Sequence, residues 1–149
     1  MDIDLAVAPD VVGTLTAIPI ADATVDAVWS SHNVEHLYSH EVPSALAEFH
    51  RVLCTGGCLL VTMPNLKAVA AYIAEGQMEE PLYQSPAGPI APLDILYGHR
   101  ASVARGNTFM AHKTGFVPGS LKNHLKNAGF ARGRVWTSEF DLWAQVYKS

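Results

Sequence analysis

The chain has 149 residues and a formal net charge of −4, from 14 acidic and 10 basic side chains. That length suits one domain, a 49% hydrophobic content argues against wholesale disorder, and the lack of a basic cluster excludes nucleic acid as an expected partner. No apolar run approaches the roughly 20 residues needed to cross a bilayer, and MDIDLAVAPD is acidic where a secretion signal is basic. No membrane partner is expected, therefore, and the expected location is cytoplasmic.

In chain order, DIDLAV alternates and reads as the end of an edge or near-edge strand. Pro9 and Asp10 mark a turn, VVGTLTAIPI mixes a short strand with loop, and VDAVWSS has the β-branched and aromatic content of a buried strand. A helix is expected from about Ser39 or His40, with Pro43 in its first turn and Val42, Leu46, Phe49 and Leu53 along one face. Gly56 and Gly57 are expected to end it in a left-handed turn, before the apolar strand CLLVTM. Nearly continuous apolar runs of this kind suit a parallel sheet covered on both faces. Asn65 can cap the next helix, LKAVAAYIAEG, which Gly76 stops. Residues 77–110 carry Pro81, Pro86, Pro89 and Pro92 and read as an ordered insertion or lid, with a short helix at PLDILYG, inside a single domain spanning 1–149. PGSLKNHLKNAGF is a helix with Leu121, Leu125 and Ala128 on one face. RGRVWT and DLWAQVYK form a terminal strand pair. Cys54 and Cys58 are too few for a zinc cluster and suit small hydrophobic fillers.

The segment from Val25 to Asn65 carries most of the functional information. Its strand–helix–strand order sets Ser30, Ser31, His32 and Asn33 at the carboxyl end of a strand, where open α/β sheets bind small molecules. IPIADATVDAVWSSHNVEHL, ALAEFHRVLCTGGCLLVTMPN and HKTGFVPGSLKNHLKNAGF resemble successive segments of the class I S-adenosylmethionine-dependent methyltransferases. The resemblance implies a partial Rossmann-like α/β sheet, mostly parallel with a C-terminal antiparallel strand pair and helices on both faces. It also implies methyl transfer from S-adenosylmethionine to a small-molecule acceptor. By resemblance, Asp2 or Asp4 matches the carboxylate that accepts hydrogen bonds from the cofactor ribose, and Thr14 stands where an acid often reads the adenine. Ser30, Ser31 and Asn33 match the strand end that faces the cofactor.

His32 and His36 are the candidate bases, because histidine ordinarily titrates near neutrality. Glu35 could hold a backbone donor or a neighbouring side chain. His99, Arg100, Asn107 and His112, in the late segment LDILYGHRASVARGNTFMAHKTGF, are candidate substrate contacts. HNVEH also fits the inverted zinc-hydrolase pattern H-x-x-E-H, but spacing specifies no third ligand, so no metal is expected and hydrolysis is a remote alternative.

The Gly-rich strand–turn–helix that usually cradles such a cofactor has no counterpart before Val25. An N-terminally truncated member is the expectation. Two consequences follow: a non-catalytic binding or scaffold protein is the alternative function, and an open sheet edge predicts a homo-oligomer.

Overall fold

The computed structural model describes all residues, 1–149. Ahead of the first strand, a 3-10 turn occupies Leu5–Val7, because the Asp4 carboxylate accepts from the Ala6 amide at 2.9 Å. The strand expected at DIDLAV is thus replaced by a side-chain-capped turn, and only Asp2 pairs across to Val12. Strand β1 (Val25–Ser31) leads through a 3-10 turn (Val34–His36) into α1 (Val42–Val52), then β2 (Leu53–Pro64) and α2 (Leu66–Ala74). The hairpin β3 (Tyr83–Ser85) and β4 (Gly88–Ile90) follows, with the short helices α3 (Pro92–Tyr97) and α4 (Arg100–Ala104). The chain closes with α5 (Pro118–Asn127), β5 (Arg132–Ser138) and β6 (Asp141–Tyr147).

The sheet order is β1–β2–β6–β5. β1 and β2 pair in parallel, which needs the α1 crossover, while β6 runs antiparallel to both β2 and β5. Three of the four strands therefore point one way, as the resemblance implied, and β6 is the reversed one.

Burial follows the period of two along each strand. Leu59, Val61 and Met63 of β2 lie opposite Val146, Ala144 and Leu142 of β6, and all six are buried against Leu46, Phe49, Leu121 and Leu125 of α1 and α5. The other face differs from the expected second helical layer. There Trp29, Trp143 and Trp136 stack in sequence, at 5.7 and 6.0 Å between rings, and Trp29 is 55% exposed. The helices that pack along the sheet, α1 and α5, share the first face.

The glycine pair does not stop α1. The helix ends at Val52, Leu53 is already extended and pairs with Val25, and the register then jumps to Ala27–Cys58. Gly56, at φ +81°, and Gly57 accommodate that bulge; a Cβ on Gly57 would sit 2.9 Å from the Cys54 carbonyl oxygen. Arg51 latches the preceding loop onto α1. Its guanidinium donates to the Ile18 and Ile20 carbonyls, each at 2.8 Å, and pairs with Glu48 at 2.7 Å. Glu48 in turn accepts from the Ile18 amide at 2.7 Å.

Candidate functional site

β1 delivers its polar end to the site through an abrupt turn. The His32 amide still donates to the Thr62 carbonyl at 2.9 Å, but His32 adopts φ +49°, which breaks the strand and swings the next residues into the 3-10 turn. Val34 then anchors that turn in the core, and Glu35 beside it is 1% exposed.

A distant segment is stitched onto this turn through the main chain. The Lys113 and Thr114 amides donate to the Glu35 carbonyl at 2.9 and 3.2 Å, and the His112 amide donates to the Tyr97 carbonyl at 3.1 Å. The rings are tied in the same manner. His36 Nδ1 lies 3.1 Å from the Ala111 carbonyl oxygen, and His112 Nδ1 lies 2.8 Å from that of Ile95. A carbonyl only accepts, so each Nδ1 carries the proton and each Nε2 keeps a lone pair. The two rings meet edge to face, 4.9 Å apart.

His32 stands between two carboxylates. Its Nδ1 is 3.3 Å from Glu35 Oε1 and its Nε2 is 3.7 Å from Asp141 Oδ1, with 44% of the side chain exposed. The Glu35 contact, helped by the charge of Asp141, holds the His32 pKa above the ordinary histidine value despite the opposing effect of burial. The contact lies too far off the hydrogen-bond axis to satisfy the carboxylate, and both Glu35 oxygens are buried without a hydrogen-bond partner. It becomes an ion pair only when His32 is protonated. Burial raises the Asp141 pKa, with His32 opposing, and lowers that of His112.

His32, His36, His112 and Asp141, with His99 and Tyr83, line a cavity of about 320 Å³, and the Glu35 carboxylate lies behind that lining. A larger hollow, about 520 Å³, lies between α5 and β5 and contains none of the sequence-derived candidates. Chemistry rather than size identifies the site.

The remaining candidates lie elsewhere or are already engaged. Asp2 and Asp4 accept from the Asp4 and Ala6 amides, and the Thr14 hydroxyl is 3.2 Å from that of Thr16. Ser30 is buried on the helix-covered side of β1, opposite Val61, and its hydroxyl has no partner. Ser31 lies opposite Thr62, and Asn33 is exposed with no side-chain capping bond. His99 Nδ1 is 2.7 Å from Ser102 Oγ, Arg100 pairs with Asp94 at 3.0 Å, and Asn107 is exposed outside the cavity.

Sequence reasoning did not single out Asp141, and it expected Glu35 to hold a backbone donor or a neighbouring side chain rather than to be buried without a hydrogen-bond partner. Asp141 reaches the site because β6 pairs it with Pro64 and the Asn65 amide donates to the Phe140 carbonyl at 2.7 Å. Alternation in DLWAQVYK marks the start of that strand, yet its register against β2 is a long-range property.

Comparison with known proteins agrees with this architecture. The profile described as "Methyltransferase domain" matches residues 4–61. No curated protein matches the chain in sequence. Among solved structures, a SAM-dependent methyltransferase and possible histamine N-methyltransferase from Thermotoga maritima is similar at 15% identity and TM-score 0.59, over 93% of this chain and 63% of that one. A SAM-dependent methyltransferase from Methanosarcina mazei is similar at 16% identity and TM-score 0.55, over 92% and 65%. Human N-acetylserotonin methyltransferase in complex with SAM is similar at 12% identity and TM-score 0.55, over 93% and 33%. The chain thus spans less than two thirds of each of these proteins. Residues 4–61 are thus similar to a methyltransferase domain, and the chain shares the fold of these SAM-dependent methyltransferases.

Proposed function

We propose that the chain takes part in methyl transfer from S-adenosylmethionine to a small-molecule nucleophile, with His32 as the proton acceptor. One observation carries this reading: His32 sits between the Glu35 and Asp141 carboxylates, at the carboxyl end of β1, on the wall of the cavity.

The lining suits one end of the cofactor. Asp141 sets negative charge beside the Tyr83 and Phe140 rings, a combination that favours a sulfonium cation, while the Asp94 charge is already paired with Arg100. The adenosine end finds less. Asp2 and Asp4, matched to the ribose carboxylate by resemblance, are engaged with their own backbone and do not line the cavity. When bound, S-adenosylmethionine supplies an electrophilic methyl group.

The side chains of this chain supply alignment and proton transfer. His32 accepts the acceptor's proton, and the two flanking carboxylates stabilise the imidazolium that forms. His36 holds one tautomer through the Ala111 carbonyl and presents Nε2 as a fixed acceptor. The hairpin β3–β4 and helices α3 and α4 wall the cavity, with Tyr83 stacked on Phe140 at 5.6 Å, which limits water around the reacting atoms. His99 and His112 are the substrate contacts from this wall.

A second reading, a non-catalytic binding or scaffold protein, is favoured by the self-capped Asp2 and Asp4. Calorimetric titration with S-adenosylhomocysteine, with thermal unfolding alongside, separates the two. Saturable binding near one ligand per chain supports the transferase reading; no heat and no stabilisation supports the scaffold.

A further inference from the structure

We infer that Glu35, His36 and His112 form a binding site for a divalent first-row transition-metal ion. The inference is independent of methyl transfer. One carboxylate oxygen and one ring nitrogen from each histidine lie within 4.8 Å of one another. Tetrahedral ligands about 2.1 Å from a shared ion are about 3.4 Å apart, so side-chain rotation must draw the atoms together by up to about 1.4 Å when the ion binds.

Three features set this cluster apart from a chance grouping. The Glu35 carboxylate is 1% exposed and neither oxygen has a hydrogen-bond partner, so its charge lacks the neutralisation that a buried carboxylate requires. The off-axis, half-exposed His32 is its only salt-bridge partner. Both histidines donate Nδ1–H to backbone carbonyls, of Ala111 and Ile95, and this outer contact fixes the tautomer and leaves Nε2 free to ligate. Finally, the two halves of the site are pre-positioned by the Lys113 and Thr114 amides on the Glu35 carbonyl.

Two imidazoles and one carboxylate suit zinc, cobalt or iron(II) far better than magnesium or calcium, whose preferred ligands are oxygens. His36 and His112 also line the cavity, so such an ion would keep coordination positions open toward it.

The test is titration of the chelator-treated full chain with Co²⁺ and with Zn²⁺, by calorimetry and, for Co²⁺, by visible absorption. The expected result is one ion per chain, with nitrogen-type ligand-field bands that Zn²⁺ abolishes. Glu35→Gln and His112→Ala are each expected to weaken binding at least about tenfold, the loss typical of removing even an outer-shell partner. His99→Ala, altered in the same cavity but outside the cluster, is expected to bind as the unmodified chain does. Circular dichroism establishes that each variant is folded; if one is not, the other decides. The inference is overturned if the unmodified chain shows no saturable one-to-one uptake, if both cluster variants bind undiminished, or if His99→Ala abolishes binding.

Discussion

Gly98 controls where His112 stands, and replacing it with alanine tests how the site is assembled. Gly98 has φ +90° and ψ 165°, a region that is essentially glycine-only, and it forms an antiparallel bridge with Ala111. A Cβ there would lie 1.8 Å from the Met110 carbonyl oxygen and 2.9 Å from the Ala111 Cα, so the two strands must separate. Strained backbone of this kind costs about 1–3 kcal/mol, and the steric overlap adds to it. The wall from α3 to the 3-10 turn Thr108–Met110 buries few side chains, so local opening relieves the strain at less expense than global unfolding. Gly98→Ala is therefore expected to lower the melting temperature by no more than about 2–4 °C for each kcal/mol transmitted to the whole domain. Its larger effect falls on hydrogen exchange at the amides of His112 and Lys113, which donate to Tyr97 and Glu35. Native-state exchange followed by NMR is the assay. Unchanged protection at both amides, together with an unchanged melting temperature, would refute the claim that close approach at Gly98 positions His112.

Four other outcomes are expected. Asp141→Asn removes one of the two charges that hold the His32 pKa up, so the His32 ring should titrate at lower pH in a proton NMR series; an unshifted midpoint would show that Asp141 exerts no field there. Glu48 is held below its usual 4.5, chiefly by the Arg51 guanidinium against the effect of burial. Its contribution is complete above the unfolded-state pKa and is lost as pH falls through the folded one, so Glu48→Gln should flatten the fall in stability below about pH 4.5, read by urea unfolding at each pH. Glu35→Met fills the same space without two buried oxygens that lack hydrogen-bond partners and should raise stability by about 1–3 kcal/mol; a loss in urea unfolding would mean that the fold itself uses the carboxylate. We also propose that the exposed tryptophan face beside edge strand β1 drives self-association, so sedimentation should show a dimer that Trp29→Lys dissociates, whereas a monomer at every concentration would exclude it.

Local chemistry made much of the fold readable. β1, α1, the apolar part of β2, α5 and the β5–β6 pair all carry a clear period or a capping residue, and Asn65 does cap α2 through the Lys67 amide. Competing interactions between neighbouring residues hid the rest. Asp4 caps a turn where alternation suggested a strand, and Gly56–Gly57 makes a bulge where a helix stop was expected, because pairing of Leu53 with Val25 had already ended α1. The β3–β4 hairpin was obscured by prolines that sit on a short, isolated ribbon, where ladder bonds are few. In the site, His32, His36, His99 and His112 could be picked out by residue type and by their position after a strand or in the wall. Asp141 could not, because only the β2–β6 register brings it to the end of β1.

Glu35 shows why residue type and position alone stop short. In sequence the HNVEH pattern marks it out, but nothing there shows that its carboxylate is buried. In the fold its neighbour Val34 is locked into the core and its own carbonyl accepts two amides from the 113–114 segment, so the backbone that carries the side chain is held from both sides. The backbone thus forces a carboxylate into a place where burial is unfavourable and where His32, His36 and His112 are the available partners. A turn required only for packing would be served as well by a neutral side chain. The retained charge makes sense if something cationic completes the site, whether the His32 imidazolium during proton transfer or a metal ion, and both demands converge on the same two oxygens.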